Sequence, residues 1–373
     1  MDASVVFRPF RSPKLDLPNR LVMAPMTRAL SPGGVPGADV AEYYARRAAA
    51  GIGLIITEGT WIDHPSASNE EAVPRFYGED AIAGWRRVVA AVQEAGGKIA
   101  PQLWHVGLTQ KHDLENLYEA ATDVSTVKLT PSGYIGVDEK ISNGSTEREI
   151  EDAIEAYGKG ARQAMAAGFD AVELHGAHGY AIDQFFWDVT NRRSDGWGGR
   201  TLAERARFGI EAVRACRAAT GPDFPIIFRF SQWKQQDYAA RLASTPQELA
   251  SLLEPLADAG VDIFHASQRR FWEPGFDGSD INLAGWAQKL TGKPAIAVGS
   301  VGLSSEMLES LLEGKGGDVT DVDELLRRME RDEFDLIAIG RALLADPQWP
   351  LKLREGRLAE AAPYTKEVLL ALN

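Results

Sequence analysis

The strongest constraint in this chain is a unit that recurs eight times: a short apolar run, then a segment whose apolar positions fall at helical spacing. The runs are Leu21–Ala24, Gly53–Thr57, Ile99–Leu103, Ala171–Leu174, Pro225–Phe230, Asp262–Ala266, Ala295–Val298 and Leu336–Ile339. The amphipathic segments include Ala38–Ala50, Asp80–Ala95, Glu147–Ala167, Leu202–Ala219, Pro246–Ala259 and Asp321–Glu330. Gly51, Gly96, Gly168, Gly221 and Gly260 stand just past five of them, where helices commonly end in a left-handed residue that glycine adopts without steric cost. Such alternation without a composition break predicts a parallel sheet wound by helices. Eight units close that sheet, so the expectation is an α/β fold of the (β/α)8 TIM barrel type, one domain over residues 1–373. An open, doubly wound sheet would normally carry a glycine-rich phosphate loop after its first strand. Here that position reads Ala24-Pro25-Met26-Thr27.

Two connections are long: His105 to Ser145 after the third strand and Gly176 to Arg200 after the fourth. Both leave carboxyl ends of strands, the barrel face on which active sites are built.

Composition narrows the partners. A formal charge of −13 leaves no basic surplus to neutralise phosphates, which argues against nucleic acid. No apolar run approaches the roughly 20 residues that span a bilayer, so no membrane partner is expected. The one cysteine, Cys216, can neither close an internal disulfide nor ligate an iron–sulfur cluster alone, and its helical surroundings mark it as packing. The cytoplasm is the default location. A homo-oligomer stays open.

The chain has six histidines, and two sit together in Glu173-Leu174-His175-Gly176-Ala177-His178-Gly179-Tyr180. Two imidazoles three apart, just past a barrel strand, can point at one small space that the Tyr180 phenol also reaches. Three chemistries fit. Paired N–H donors can hold a carbonyl or nitro oxygen while the phenol supplies a proton. The histidines can instead ligate a metal with Glu173 or Asp183, or be loop histidines satisfied by backbone. The other strand ends favour the first: Met26, Thr27, Glu58 and Arg229 make a poor metal shell, and a cation suits an anionic cofactor instead.

The seventh and eighth strands end in Val298-Gly299-Ser300-Val301 and Ile339-Gly340-Arg341. Barrels often bind phosphate with these two loops, where glycine lets backbone N–H groups approach and arginine offers a forked cation. Gln102 carries an amide able to pair with the pyrimidine edge of a flavin, Thr27 a hydroxyl for its O4/N5 side, and Gly59 room for backbone approach. Arg229 suits the N1–C2=O edge.

Taken together, these stretches resemble the Old Yellow Enzyme family of FMN-dependent ene-reductases over nearly the whole chain. The matching motifs are Asn19-Arg20-Leu21-Val22-Met23-Ala24-Pro25-Met26-Thr27-Arg28, Gln102-Leu103-Trp104-His105-Val106-Gly107 and Gly168-Phe169-Asp170-Ala171-Val172-Glu173-Leu174-His175-Gly176-Ala177-His178-Gly179-Tyr180. Asn191-Arg192-Arg193-Ser194-Asp195 and Ile339-Gly340-Arg341-Ala342-Leu343-Leu344-Ala345-Asp346-Pro347 complete the series. The resemblance implies non-covalent FMN, with Pro25, Met26, Thr27, Gly59, Gln102 and Arg229 on the ring and ribityl chain. Gly299, Ser300, Gly340 and Arg341 would hold the phosphate. It further implies NAD(P)H as reductant in a ping-pong cycle and a small activated alkene as substrate. His175 and His178 would bind the substrate oxygen, flavin N5 would deliver hydride, Tyr180 would donate the proton, and Trp104 would shape the pocket. Nitrate ester reduction, amine dehydrogenation and demethylation are the alternatives within such flavin chemistry; a metal-dependent hydrolase or a non-catalytic FMN-binding barrel lies further off. His178 stands where the family divides between histidine and asparagine, both donors, and Thr27 where some members carry cysteine. Gln268-Arg269-Arg270-Phe271-Trp272-Glu273-Pro274 matches no general family motif and is a candidate for substrate choice.

Overall fold

The structure, a computed structural model, describes residues 2–68, 70–109, 129–306, 309 and 315–373. Eight strands close a barrel: β1 (Leu21–Met23), β2 (Leu54–Trp61), β3 (Lys98–Trp104), β4 (Val172–His178), β5 (Ile226–Lys234), β6 (Ile263–Ser267), β7 (Ala295–Val298) and β8 (Leu336–Ile339). Each pairs in parallel with the next in sequence, and β8 returns to β1. The expected barrel is therefore the observed one. Every expected strand is present, but β2, β4 and β5 run on past their apolar cores to Trp61, His178 and Lys234.

Helices follow the predicted segments closely, at Ala38–Ala49, Glu79–Glu94, Glu147–Ala167, Pro246–Ala259 and Asp323–Glu330. The start of Glu147–Ala167 is fixed by a capping box in which the Thr146 hydroxyl accepts from the Glu149 N–H and the Glu149 carboxylate accepts from the Thr146 N–H. Gly168, at φ +91°, ends the same helix in the left-handed region. Leu202–Ala219 is two pieces, Leu202–Arg205 and Arg207–Thr220, separated by Ala206, which keeps right-handed helical angles. A helix at Leu283–Thr291 escapes the sequence reading, although Asn282 caps its start and Gly292 its end.

Side chains alternate across each strand, so every second residue enters the barrel. Near the amino ends the interior is aliphatic: Leu54, Ile56, Ala100, Ile227, Ile263, Ile296 and Leu336 are all essentially inaccessible. A two-strand antiparallel hairpin, Phe10–Arg11 with Asp16–Leu17, packs Phe10, Leu15 and Leu17 into the same cluster. It closes the barrel floor. Cys216 is buried, its thiol donating to the Tyr157 carbonyl at 3.4 Å, a packing residue as expected. Among the described residues, no helix is long and apolar enough to cross a membrane.

Candidate active site

One step up the same alternation, the interior changes character. Ile227 is succeeded by Arg229, Ile263 by His265 and Ala100 by Gln102, while Ala171, just before β4, is succeeded by Glu173. All four polar side chains are buried. Glu173 joins them: its Oε1 accepts from Gln102 Nε2 at 2.7 Å and its Oε2 from His265 Nδ1 at 2.6 Å. Burial pushes the His265 imidazole down, against the opposing pull of Glu173, so the ring is neutral and Nδ1 carries the shared proton. Burial likewise lowers Arg229, to about 10, still cationic at neutral pH.

Above this layer sit the two histidines and the tyrosine. In a regular strand, residues three apart face opposite sides. The β4–β5 register shifts between Gly176 and His178, and His178 takes φ +65°. That conformation is unfavourable for a residue with a Cβ and persists only where its surroundings hold it. Here Ser231 Oγ accepts the His178 N–H at 2.9 Å. The irregularity brings both imidazoles to one mouth, with ring centroids 5.1 Å apart and planes at 86°. Tyr180 lies 4.9 Å from the His175 ring and 4.9 Å from Trp104, both edge to face.

The polar contacts assign protons. The Ala177 N–H donates to His175 Nδ1 at 3.4 Å, leaving the ring proton on Nε2. His178 Nε2 is 2.8 Å from Ser267 Oγ, which accepts from Arg229 Nη2 at 3.2 Å and so turns its own proton to Nε2, leaving the His178 ring proton on Nδ1. Burial first, then the Arg229 charge, holds His178 well below the usual histidine range. It is a neutral donor, not a cation. Burial raises the Tyr180 phenol, which therefore stays protonated at neutral pH.

A cavity runs from this mouth toward the last two strands. Pro25, Met26, His178, Arg229, Gly299, Ser300, Gly340 and Arg341 are among the residues that line it, whereas Gln102, Trp104, His175 and Tyr180 are not. Arg341 Nη2 donates to the Ser305 carbonyl at 2.6 Å and approaches Ser300 Oγ at 3.4 Å. Thr27 is exposed and does not line the cavity. Gly59 has a different reason from the one expected: a Cβ there would sit 2.3 Å from the Trp104 ring, so the missing side chain admits the indole. Trp104 in turn stacks on Trp61 at 4.6 Å.

An anionic, planar cofactor such as FMN fits these groups. Among the described residues, the buried Arg229 Nε has no partner, an arrangement costly unless an acceptor arrives. Ser300 and Arg341 supply a hydroxyl and a guanidinium at the two loops suited to phosphate. A metal fits less well, because Glu173 is bonded to Gln102 and His265 and Asp183 to Lys234. Among the described residues no group of three or more His, Cys, Asp or Glu side chains is arranged to hold a metal ion.

Sequence reasoning missed Ser267, His265, Trp233 and Gln235. The first two lie at alternate positions on the inner face of β6, and Trp233 continues the Arg229, Ser231 alternation on β5. Extending that count past the apolar core would have found these three. Of the Gln268–Pro274 segment, Gln268 and Arg269 line the cavity. Its backbone is pinned by Asn282 and Arg328 through the Phe271 and Trp272 carbonyls.

Residues 5–360 match the NADH:flavin oxidoreductase / NADH oxidase family. The chain is 33% identical over 365 residues to an NADH oxidase of Thermoanaerobacter brockii, covering 95% of this chain and 51% of that protein. It is 42% identical over 226 residues to 12-oxophytodienoate reductase 7 of Oryza sativa subsp. japonica, covering 58% of this chain and 56% of the relative. The chain thus spans about half the length of these two curated relatives. The structure of morphinone reductase superposes with a TM-score of 0.77 at 28% identity, covering 98% of this chain and 92% of that one. The chain belongs to the NADH:flavin oxidoreductase / NADH oxidase family, the family of the Old Yellow Enzyme type.

Proposed function

We propose that this protein reduces activated C=C bonds, in α,β-unsaturated carbonyl or nitro compounds, using NAD(P)H in a ping-pong cycle. The observation that carries the reading is the convergence of two imidazoles and a protonated phenol over one mouth. When bound, FMN would supply the hydride chemistry that links oxidation of NAD(P)H to reduction of the alkene.

The chain's own residues do the rest. Gln102 and Arg229 would hold the cofactor ring from the buried layer, and Ser300 and Arg341 its phosphate. His175 and His178 donate N–H to the substrate oxygen and stabilise the negative charge that grows there as hydride arrives. Neutral imidazoles suit this task, since each keeps its proton and merely donates it. Tyr180 gives its proton to the α-carbon. Trp104, Trp61 and Trp233 are buried around the histidines and keep water from competing for these hydrogen bonds. One mouth serves both the nicotinamide and the alkene, which is why the two substrates would exclude each other.

Incubating the flavin-loaded protein with NADPH and 2-cyclohexen-1-one tests this. Cyclohexanone should accumulate, and double-reciprocal plots at several NADPH concentrations should be parallel. Converging lines would remove the ping-pong cycle. Failure to reduce an enone, a nitroalkene and a maleimide would remove the substrate class.

A further inference from the structure

Strand β5 does not stop at the mouth. It continues to Lys234 and pairs that residue with His178. The residues that follow bind the His178–Tyr180 turn at every point. Trp233 stacks on the His178 ring at 4.3 Å and 19°. The Gln235 N–H donates to the His178 carbonyl at 3.2 Å. Gln236 Nε2 donates to the Gly179 carbonyl at 3.0 Å. Lys234 Nζ donates to Asp183 Oδ1 at 2.6 Å, and Asp183 Oδ2 accepts the Gly179 N–H at 2.7 Å.

Within this strap one contact touches the chemistry. Gln235 Nε2 donates to Tyr180 Oη at 2.7 Å. A phenolic oxygen both donates and accepts. With an amide N–H on its accepting side, the phenol's own proton must point elsewhere, away from Gln235. The same N–H lies on the atom that gains negative charge when that proton leaves, where a hydrogen bond strengthens most.

From this geometry we infer that Gln235 is the positioning residue of the proton donor: its side-chain amide aims the Tyr180 O–H at the substrate and stabilises the oxygen left behind. The inference rests on the reading of Tyr180 as proton donor. In the step, the O–H bond of Tyr180 breaks and its electron pair stays on Oη. A C–H bond forms at the α-carbon from the electron pair that hydride addition at the β-carbon released, and solvent later returns a proton to Oη. Gln235 exchanges nothing. The strap holds a turn in which His178 and Gly179 both take positive φ.

The test uses the flavin-loaded enzyme with 2-cyclohexen-1-one as oxidant, in wild type, Gln235→Leu, Gln235→Glu and Tyr180→Phe. Loss of a hydrogen bond to a charged oxygen corresponds to about a tenfold to hundredfold slowing, expected in reoxidation for Gln235→Leu. Its solvent deuterium isotope effect should rise, while reduction by NADPH stays at the wild-type rate. Gln235→Glu, nearly isosteric, should be slower still, because a carboxylate accepts the phenol proton and turns it away from substrate. In the uncharged resting enzyme, the 13Cζ resonance of Tyr180, assigned by its absence from Tyr180→Phe, should move in Gln235→Leu. Wild-type reoxidation and an unmoved resonance in both Gln235 variants would overturn the inference, and so would equal slowing of both half-reactions. If Tyr180→Phe itself reoxidises at the wild-type rate, it is the proton-donor reading that fails.

Discussion

The floor and the mouth of this barrel are built from the same strands, two residues apart, and differ in almost everything else. At the floor, Ile227 and Ile263 pack with Leu54, Ile56 and the hairpin residues Phe10 and Leu17, with no polar group among them. At the mouth, Arg229 and His265 occupy the next inward positions: His265 is joined through Glu173 to Gln102, and Arg229 donates to Ser267. Aliphatic packing needs only volume and shape, whereas each buried polar group needs a partner in a particular direction. Among the described residues, the floor cluster therefore has no orphaned side chain, while the mouth leaves Arg229 Nε and His265 Nε2 unpartnered. The molecule keeps its stability at one end of the strands and spends some of it at the other, where an incoming acceptor would satisfy those nitrogens.

That division can be broken or sharpened by substitution. The largest effect is expected for Tyr180→Phe, a mouth change that removes one oxygen. Enone-driven reoxidation should fall by about a hundredfold to ten-thousandfold, the usual weight of a positioned general acid. A nitroalkene should instead stop at the nitronate. Stopped-flow absorbance reads the rates, and a melting curve shifted by more than a few degrees would place Tyr180 among the structural residues instead.

Ile227→Ala carries the converse expectation. It should lose about 2–5 kcal/mol of stability through the cavity it opens, measured by urea unfolding. Both half-reaction rates should hold in the folded fraction; a mouth-like loss of rate would dissolve the distinction.

Glu58 is an intermediate case on the rim. Its Oε2 accepts the N–H groups of Arg28 and Ala29, yet burial outweighs them and pushes its carboxyl up to about 7. A folded-state value above the unfolded one means a contribution present below about pH 4.5 and lost as pH rises through 7. The size is about 3 kcal/mol at 1.36 kcal/mol per unit. Glu58→Gln should flatten that part of the stability–pH curve, and an unchanged slope would show that the carboxyl is not buried as described.

The smallest effect is expected for Arg341→Leu. Losing one charge-assisted contact should weaken FMN retention by about tenfold to a hundredfold, read by fluorescence of released flavin. Unaltered affinity would move the phosphate away from the β7 and β8 loops.

How far the sequence could be read follows the same division. The strand part of the floor was legible, because parallel strands buried on both faces write themselves as continuous apolar runs; the short hairpin that closes it, Phe10–Arg11 with Asp16–Leu17, was not. At the mouth, Gln102, Arg229 and His175 were found because they stand at ordinary strand ends. Two register shifts were not legible, one between Ile56 and Gly59 and one between Gly176 and His178. The second decides that His178 shares a space with His175. Gly59 was read as room for a cofactor, when the nearest atom it spares belongs to Trp104. Gln235 lay beyond reach for a related reason: only the extension of β5 past its apolar core carries it to Tyr180.

The most direct test of a polar, ligand-completed mouth is an anaerobic titration of the flavin-loaded protein. Adding NADPH should bleach the visible flavin band, and 2-cyclohexen-1-one should then restore it with one equivalent of alkene per flavin. A protein that binds no flavin, or one whose bound flavin NADPH cannot bleach, would contradict the account.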